Sequence, residues 1–259
     1  MRVCMSVAGS DSCAGAGIQA DLKTFAAHGV YGLTAVTAVT AQNTCGVQEV
    51  QEMRPGIVQA QIDCLFQDFF VHAVKIGMLS SAPIIEAVAE SLDISGRPPV
   101  VLDPVMLSKS GHELLAGRDR QLLIQRLFPL ADVITPNLLE AGLLTGEELS
   151  TLGDMERAAK TLRDRGARVV IVKGGHLRQA PGTDVYCDEQ GTQQLPGEFV
   201  NTSSTHGTGC TFSSAIAANL ALGCEILEAA QRAKVYTGRA LAASRPLGRG
   251  HGPLAHFQN

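Results

Sequence analysis

No stretch of apolar residues in this 259-residue chain reaches the length that a membrane-spanning helix requires. No two cysteines stand in C-x-x-C spacing. The seven cysteines, Cys4, Cys13, Cys45, Cys64, Cys187, Cys210 and Cys224, are odd in number and scattered, so neither a zinc site nor a disulfide framework is indicated. Basic runs are missing as well, and a net charge of −4 argues against a nucleic-acid surface. Residues 1–7 are too few for the apolar core of a secretory leader. A soluble, reduced, cytoplasmic protein is therefore expected. There is no linker and no low-complexity segment, and hydrophobic residues at 45% are ample for a core, so one domain over 1–259 is expected.

Two further absences remove nucleotide-binding classes. No Walker A sequence occurs, which excludes the P-loop class. Gly15-Ala16-Gly17-Ile18-Gln19-Ala20 matches the dinucleotide fingerprint G-x-G-x-x-A, but that fingerprint needs an acid about 20 residues on. Between Asp21 and Glu49 there is no Asp or Glu, so NAD binding is rejected. The glycines are instead expected to let a flat ligand approach the backbone.

What is present alternates. Short apolar runs predict strands over 3–8, 33–41, 73–76, 99–102, 132–135 and 169–172, with a polar hairpin over 185–187 and 193–195. Helices are predicted over 18–28, 55–69, 83–92, 122–127, 136–144, 155–165, 207–222 and 226–244. Such alternation implies an α/β fold with a mostly parallel central sheet and helices on both faces. Ligands then bind beyond the carboxyl ends of the strands. Gly9-Ser10-Asp11, Gln42-Asn43, Gly77-Met78, Asp103-Pro104, Pro136-Asn137 and Lys173-Gly174-Gly175 all follow predicted strands.

The chain is organised around Ser203-Ser204-Thr205-His206-Gly207-Thr208-Gly209-Cys210-Thr211-Phe212. Gly207 and Gly209 are expected to adopt angles closed to other residues, so that successive N–H groups point into one concavity. The helix behind adds about half a positive charge. The product is an anion site that needs no lysine, with Cys210 at its mouth. Asn137 and Glu140, three apart, share a face at a helix start, with Thr135 expected as N-cap and Pro136 as first helical residue. That carboxylate serves either the helix dipole or a hydrated Mg²⁺ or phosphate. Lys173 precedes two glycines that leave room for a phosphate. Asp21, one turn after Gly17, is either a ligand contact or an exposed helix charge. Gln42 carries an amide able to pair with a ring nitrogen and an adjacent amine. Met78 is either core or contact.

These residues resemble a known family. Gly9-Ser10-Asp11-Ser12, Gly15 through Phe25, Ala41-Gln42-Asn43-Thr44, Lys75-Ile76-Gly77-Met78-Leu79, Leu102-Asp103-Pro104-Val105-Met106, Thr135-Pro136-Asn137 with Glu140, Val172-Lys173-Gly174-Gly175-His176, Thr205 through Thr211 and Gly250 through Phe257 are similar, in order, to the bacterial hydroxymethylpyrimidine/phosphomethylpyrimidine kinases. Cys13-Ala14 departs, standing where that family often has serine and glycine. The resemblance implies a three-layer ribokinase-like fold. It also implies two ATP-dependent phosphorylations of 4-amino-5-hydroxymethyl-2-methylpyrimidine that prepare the pyrimidine half of thiamine.

Carried over by position, the resemblance makes Gln42 the reader of the aminopyrimidine, with Gly9, Asp21, Met78 and Val105 lining its pocket. Lys173 and Asn137 would serve the ATP phosphates, and Glu140 with Asp103 would serve Mg²⁺. Thr208 and Gly209 would lend N–H groups to the transferring phosphoryl group. Cys210 occupies the position of the catalytic aspartate in sugar kinases of this fold, as a base or as a wall of the pocket. A helix entrance favours its thiolate, while ATP phosphates oppose it. The expected partners are a small pyrimidine and ATP, with no nucleic acid and no membrane, and a homodimer is the expected assembly. Two rivals remain: a pyridoxal or pyridoxine kinase of the same fold, and a non-catalytic pyrimidine-binding regulator. The presence of Asn137, Glu140, Lys173 and Cys210 argues against the regulator.

Overall fold

The computed structural model describes residues 1–108, 111–175, 177 and 179–257. Its strands are β1 (Val3–Asp11), β2 (Tyr31–Asn43), β3 (Gly46–Glu52), β4 (Ala73–Ile76), β5 (Val100–Leu102), β6 (Val133–Ile134), β7 (Val169–Val172), β8 (Asp184–Asp188) and β9 (Gly191–Leu195). Its α-helices are α1 (Gly17–Ala27), α2 (Pro55–Asp68), α3 (Ala82–Leu92), α4 (Arg120–Leu127), α5 (Leu138–Thr145), α6 (Leu152–Asp164), α7 (Thr208–Ala221) and α8 (Ile226–Ala242). All nine strands join one sheet in the order β3-β2-β1-β4-β5-β6-β7-β8-β9. The six from β2 to β7 run parallel; at the edges β3 pairs antiparallel with β2, β8 with β7, and β9 with β8.

The chain leaves β1 in one direction to reach β2 and returns past β1 to reach β4. Right-handed crossovers in opposite directions place their helices on opposite faces. Side chains along each strand alternate accordingly. Val74, Ile76, Val100, Leu102, Ile134, Val170 and Val172 join the core shared with α2, α3, α4 and α6. Ala73, Val101, Val133, Val169 and Ile171 join the core shared with α1, α7 and α8. Three layers result, as the alternating pattern requires. Helix α7 is buried from Thr211 to Asn219 because it lies on β4 and β5 with α1 and α8 at its flanks. Ala215, Ala217, Ala218 and Ala221 keep that helix thin enough to fit between its neighbours.

The predicted strands and helices recur with shifted ends. Two differences are substantive. Strand β3 was not expected; its residues are mostly exposed at the sheet edge, so its sequence is polar and carries no apolar period. Strands β1 and β2 run further than predicted, to Asp11 and Asn43, which puts Gly9 and Gln42 on strands rather than in loops. Among the described residues, no helix is long and apolar enough to cross a membrane.

Candidate active site

The carboxyl ends of β1, β2, β4, β5, β6 and β7 surround one cavity of about 460 Å³ that the start of α7 closes from below. Gly9, Gln42, Met78, Val105, Asp103, Asn137, Glu140, Lys173, Thr208, Gly209 and Cys210 all line it. Every expected site residue except Asp21 is thereby brought together. His176, which closes one of the recognised motifs, lies outside the described residues. A second hollow, of about 440 Å³, is lined by α8 alone and shares none of these residues.

Charge gathers on one side of the cavity. Lys173 Nζ stands 2.8 Å from Asp103 Oδ1, which also accepts from Thr135 Oγ1 at 3.3 Å. A Cβ on Gly209 would lie 3.1 Å from Lys173 Nζ and 3.3 Å from Asp103 Oδ2. Gly209 is helical, not left-handed as expected; the position takes glycine because two charged groups approach its α-carbon. Gly207 does fulfil the expectation, with φ +83, and any side chain there would collide with the Gly15 carbonyl. Gly15 and Gly17 also press against protein atoms, His206 and the Gly9 carbonyl, rather than against space for a flat ligand.

Asn137, not Thr135, caps α5. Its side chain accepts from the Glu140 N–H at 2.9 Å, and Glu140 Oε2 accepts from the Asn137 N–H at 2.8 Å, a reciprocal capping box. Pro136 is not helical because its carbonyl accepts the Lys173 N–H at 2.9 Å, extending the sheet by one rung. Burial raises the Glu140 carboxyl above the usual range and Asp103 adds to the rise, against the opposing pull of Lys173. For Lys173, burial disfavours the charge, but Asp103 and Glu140 outweigh it and hold the ammonium protonated.

Asp21 does not face the cavity. It is fully buried, with Lys75 Nζ 2.9 Å from both its oxygens, Ser6 Oγ at 2.5 Å and Ser214 Oγ at 2.6 Å. Three donor groups make four hydrogen bonds to the carboxylate, and nothing remains for a ligand. Lys75, equally buried, sits between Asp21 and the floor of the cavity. Cys210 is partly open to that cavity. Burial pushes its thiol up to about 11; Lys75 pulls down, and Asp21 and Asp103 push further up. The thiolate favoured by a helix entrance is thus outweighed by desolvation, and the thiol is protonated at neutral pH.

Sequence reasoning gave no role to Asp11, His206 or Lys75. Asp11 accepts from the N–H groups of Cys13, Gly15 and Ala16 at 2.9, 3.0 and 2.8 Å, and His206 Nε2 donates to it at 2.8 Å. Asp11, Cys13 and His206 each offer a ligand atom within 4.8 Å of one another, but these hydrogen bonds already occupy Asp11, and the trio clamps two loops. Asp11 and His206 are 195 residues apart, beyond any local pattern.

Known proteins agree with this geometry. The phosphomethylpyrimidine kinase family matches residues 11–255. The hydroxymethylpyrimidine/phosphomethylpyrimidine kinase of Rhizobium meliloti is 48% identical over 98% of this chain and 97% of its own. The crystal structure of phosphomethylpyrimidine kinase from Clostridium difficile is 42% identical with a TM-score of 0.82, covering 93% of this chain and all of that one. The ADP complex of Bacillus subtilis pyridoxal kinase is 41% identical with a TM-score of 0.92, covering 99% and 97%. A cavity at the strand ends, a lysine–carboxylate cluster on one wall and a glycine-containing turn at its base are thus set in a chain that belongs to the phosphomethylpyrimidine kinase family.

Proposed function

We propose that this chain phosphorylates 4-amino-5-hydroxymethyl-2-methylpyrimidine with ATP, first to the monophosphate and then to the diphosphate, as a step toward thiamine. The observation that carries the reading is the continuity of one cavity. Gln42, Met78, Gly9 and Val105 line one part of it, Lys173, Asn137 and Glu140 line another, and Gly209 and Cys210 lie at the start of α7. A ring on Gln42 and a nucleotide on Lys173 then meet over the anion loop. Phosphoryl transfer requires mainly alignment and charge neutralisation. Lys173 supplies a fixed cation, and the Gly209 N–H, in the first turn of α7, has no partner within the helix and would hold a moving phosphoryl oxygen, with the Thr208 N–H, only 3.4 Å from the Thr205 carbonyl, beside it.

Magnesium fits the carboxylate pair. Burial first and Asp103 next disfavour the charge on Glu140, so a cation held by the two acids would be favourable. Asp103 and Glu140 would hold the ion, which would neutralise phosphate charge; two carboxylates and retained waters suit Mg²⁺. The reading includes one working domain over 1–259, acting in the cytoplasm as a homodimer, an assembly that sedimentation tests directly.

Pyridoxal is the second reading, because the pyridoxal kinase of Bacillus subtilis shares the fold so closely. Phosphate stoichiometry on each ring separates the two. The aminopyrimidine should take two phosphates in sequence and be preferred. Gln42→Leu should lose about 1–3 kcal/mol of that preference, since the amine and ring nitrogen go unpaired. A Gln42→Leu chain that phosphorylates the aminopyrimidine as well as the parent overturns the assignment.

A further inference from the structure

Strand β1 ends at Asp11, opposite Thr40, while β2 runs three residues further, through Ala41 and Gln42 to Asn43. On its other side β2 pairs with β3, but the register slips there, with Ala41 facing Glu49 and Gln42 facing Val47. Gln42 therefore lies on an overhanging strand end, beside a bulge and with no strand neighbour on the β1 side. Nor do its side-chain neighbours hold it. His206 Nε2 gives its proton to Asp11 at 2.8 Å, and Thr40 Oγ1 has the Ser10 carbonyl at 3.0 Å, nearer than Gln42 Oε1 at 3.2 Å. The terminal amide is left for a ligand, and its aim depends on the backbone that carries it. One side chain takes the place of the missing strand. Ser12 Oγ donates to the Gln42 carbonyl at 2.7 Å and accepts from the Gln42 N–H at 2.9 Å. The proton and one lone pair of that hydroxyl thus extend the sheet by one rung past the end of β1.

We propose that Ser12 is a positioning residue that fixes the backbone of Gln42 and thereby aims its amide at the ring in the cavity. The inference rests on the reading of Gln42 given above. Ser12 is exposed and does not itself line the cavity, so its influence on the ring passes through Gln42. The rest of the hairpin has its own anchor. The segment after α8 crosses the turn between β2 and β3, where the Arg249 and Gly250 N–H groups donate to Thr44 Oγ1 at 3.2 and 3.1 Å. The His251 N–H donates to the Thr44 carbonyl at 2.9 Å. A Cβ on Gly250 would lie 2.1 Å from that carbonyl oxygen, so the contact admits only glycine. Asn43 Oδ1 closes the turn, accepting from the Cys45 and Gly46 N–H groups at 2.8 and 3.2 Å. Loss of the Ser12 hydroxyl leaves all these contacts in place. It frees only the rung at Gln42, whose long side chain carries a small backbone shift out to the amide, where misplacement is costly.

The test measures dissociation constants of the full chain by calorimetry, separately for 4-amino-5-hydroxymethyl-2-methylpyrimidine and for ATP. Ser12→Ala should weaken the pyrimidine about fivefold, the size of one net hydrogen bond, and leave ATP unchanged. Ser12→Thr keeps the hydroxyl and should restore the parent value. In a Gln42→Leu background Ser12→Ala should have no further effect, because the amide that Ser12 aims is gone. Unchanged pyrimidine affinity in Ser12→Ala overturns the proposal, and so does a loss that persists undiminished in the Gln42→Leu background. An equal loss for both ligands marks a merely structural role and overturns it too. A Gln42→Leu chain that binds the pyrimidine as tightly as the parent overturns the reading of Gln42 itself. A Gln42→Leu chain that binds it weakly, beside a Ser12→Ala chain that binds as the parent does, overturns the positioning role alone.

Discussion

Ala14 holds φ at +61, a left-handed backbone that a side chain strains by about 1–2 kcal/mol. It sits in the Asp11 loop, with its N–H donating to the Asp11 carbonyl at 2.8 Å, at the position where the resembling family often has glycine. Ala14→Gly removes the strain and returns part of it as unfolded-chain entropy, so a net gain of about 0.5 kcal/mol is expected from denaturant midpoints. A loss would mean that the loop relaxes around alanine. Cys210 provides a second test at this scale. Its thiol, pushed up to about 11, is almost wholly protonated at pH 7. In the first step an alcohol must lose a proton; in the second the nucleophile is a phosphate already mostly ionised, with a second pKa of about 6. Single-turnover rates of the alcohol step should therefore rise about tenfold per pH unit between pH 7 and 9, tracking the thiolate fraction. The phosphate step should stay flat, and Cys210→Ala should abolish the slope. A flat alcohol step in the parent assigns Cys210 to shaping the pocket and leaves Lys173, Thr208 and Gly209 with the catalysis.

Helix α5 separates structure from function within one element. Its capping box uses Glu140 as a hydrogen-bond acceptor, a task that glutamine also performs, whereas a metal contact needs the charge. Glu140→Gln should change stability by less than about 0.5 kcal/mol and raise the Mg²⁺ concentration for half-maximal rate several-fold. An unmoved Mg²⁺ titration returns Glu140 to the cap alone. The sequence spacing revealed that Asn137 and Glu140 share a face. It misplaced the cap by two residues, because Pro136 reads locally as a first helical residue. In the structure Pro136 instead serves the sheet, accepting from Lys173 at 37 residues' remove, which local reasoning does not see. Strand β3 escaped for the related reason that an exposed edge strand buries almost no side chains.

The pair Lys75–Asp21 joins elements from across the molecule: β4 and α1 through the ion pair, and β1 and α7 through Ser6 and Ser214. Both side chains are fully buried, so breaking the pair leaves a bare charge where water does not reach. Lys75→Met should destabilise the fold by about 3–5 kcal/mol. Adding Asp21→Asn, which keeps partners for the two serines, should recover at least about 2 kcal/mol in the same unfolding experiment. Additive losses would show that the two residues act apart. Asp21 was expected to line the pocket or else to be an exposed helix charge, and its place four residues after Gly17 allowed either but not a buried ion pair. Only the packing of α1 against α7 turns it inward, onto a lysine 54 residues away.

The sequence by itself determined the layers, the parallel sheet and the line of polar residues at the strand ends. Each of these follows from local periodicity and from the way that apolar runs stop at glycine, proline and short polar residues. The turn into α7 was equally legible, because Gly207, Thr208 and Gly209 are contiguous, and Gly207 takes the left-handed backbone expected of it. Tertiary structure alone decided the rest. Whether Asp21 faces ligand or core and whether the Cys210 thiol ionises both depend on partners far away in the chain. Those contacts exist only once burial has removed water and made a charge count.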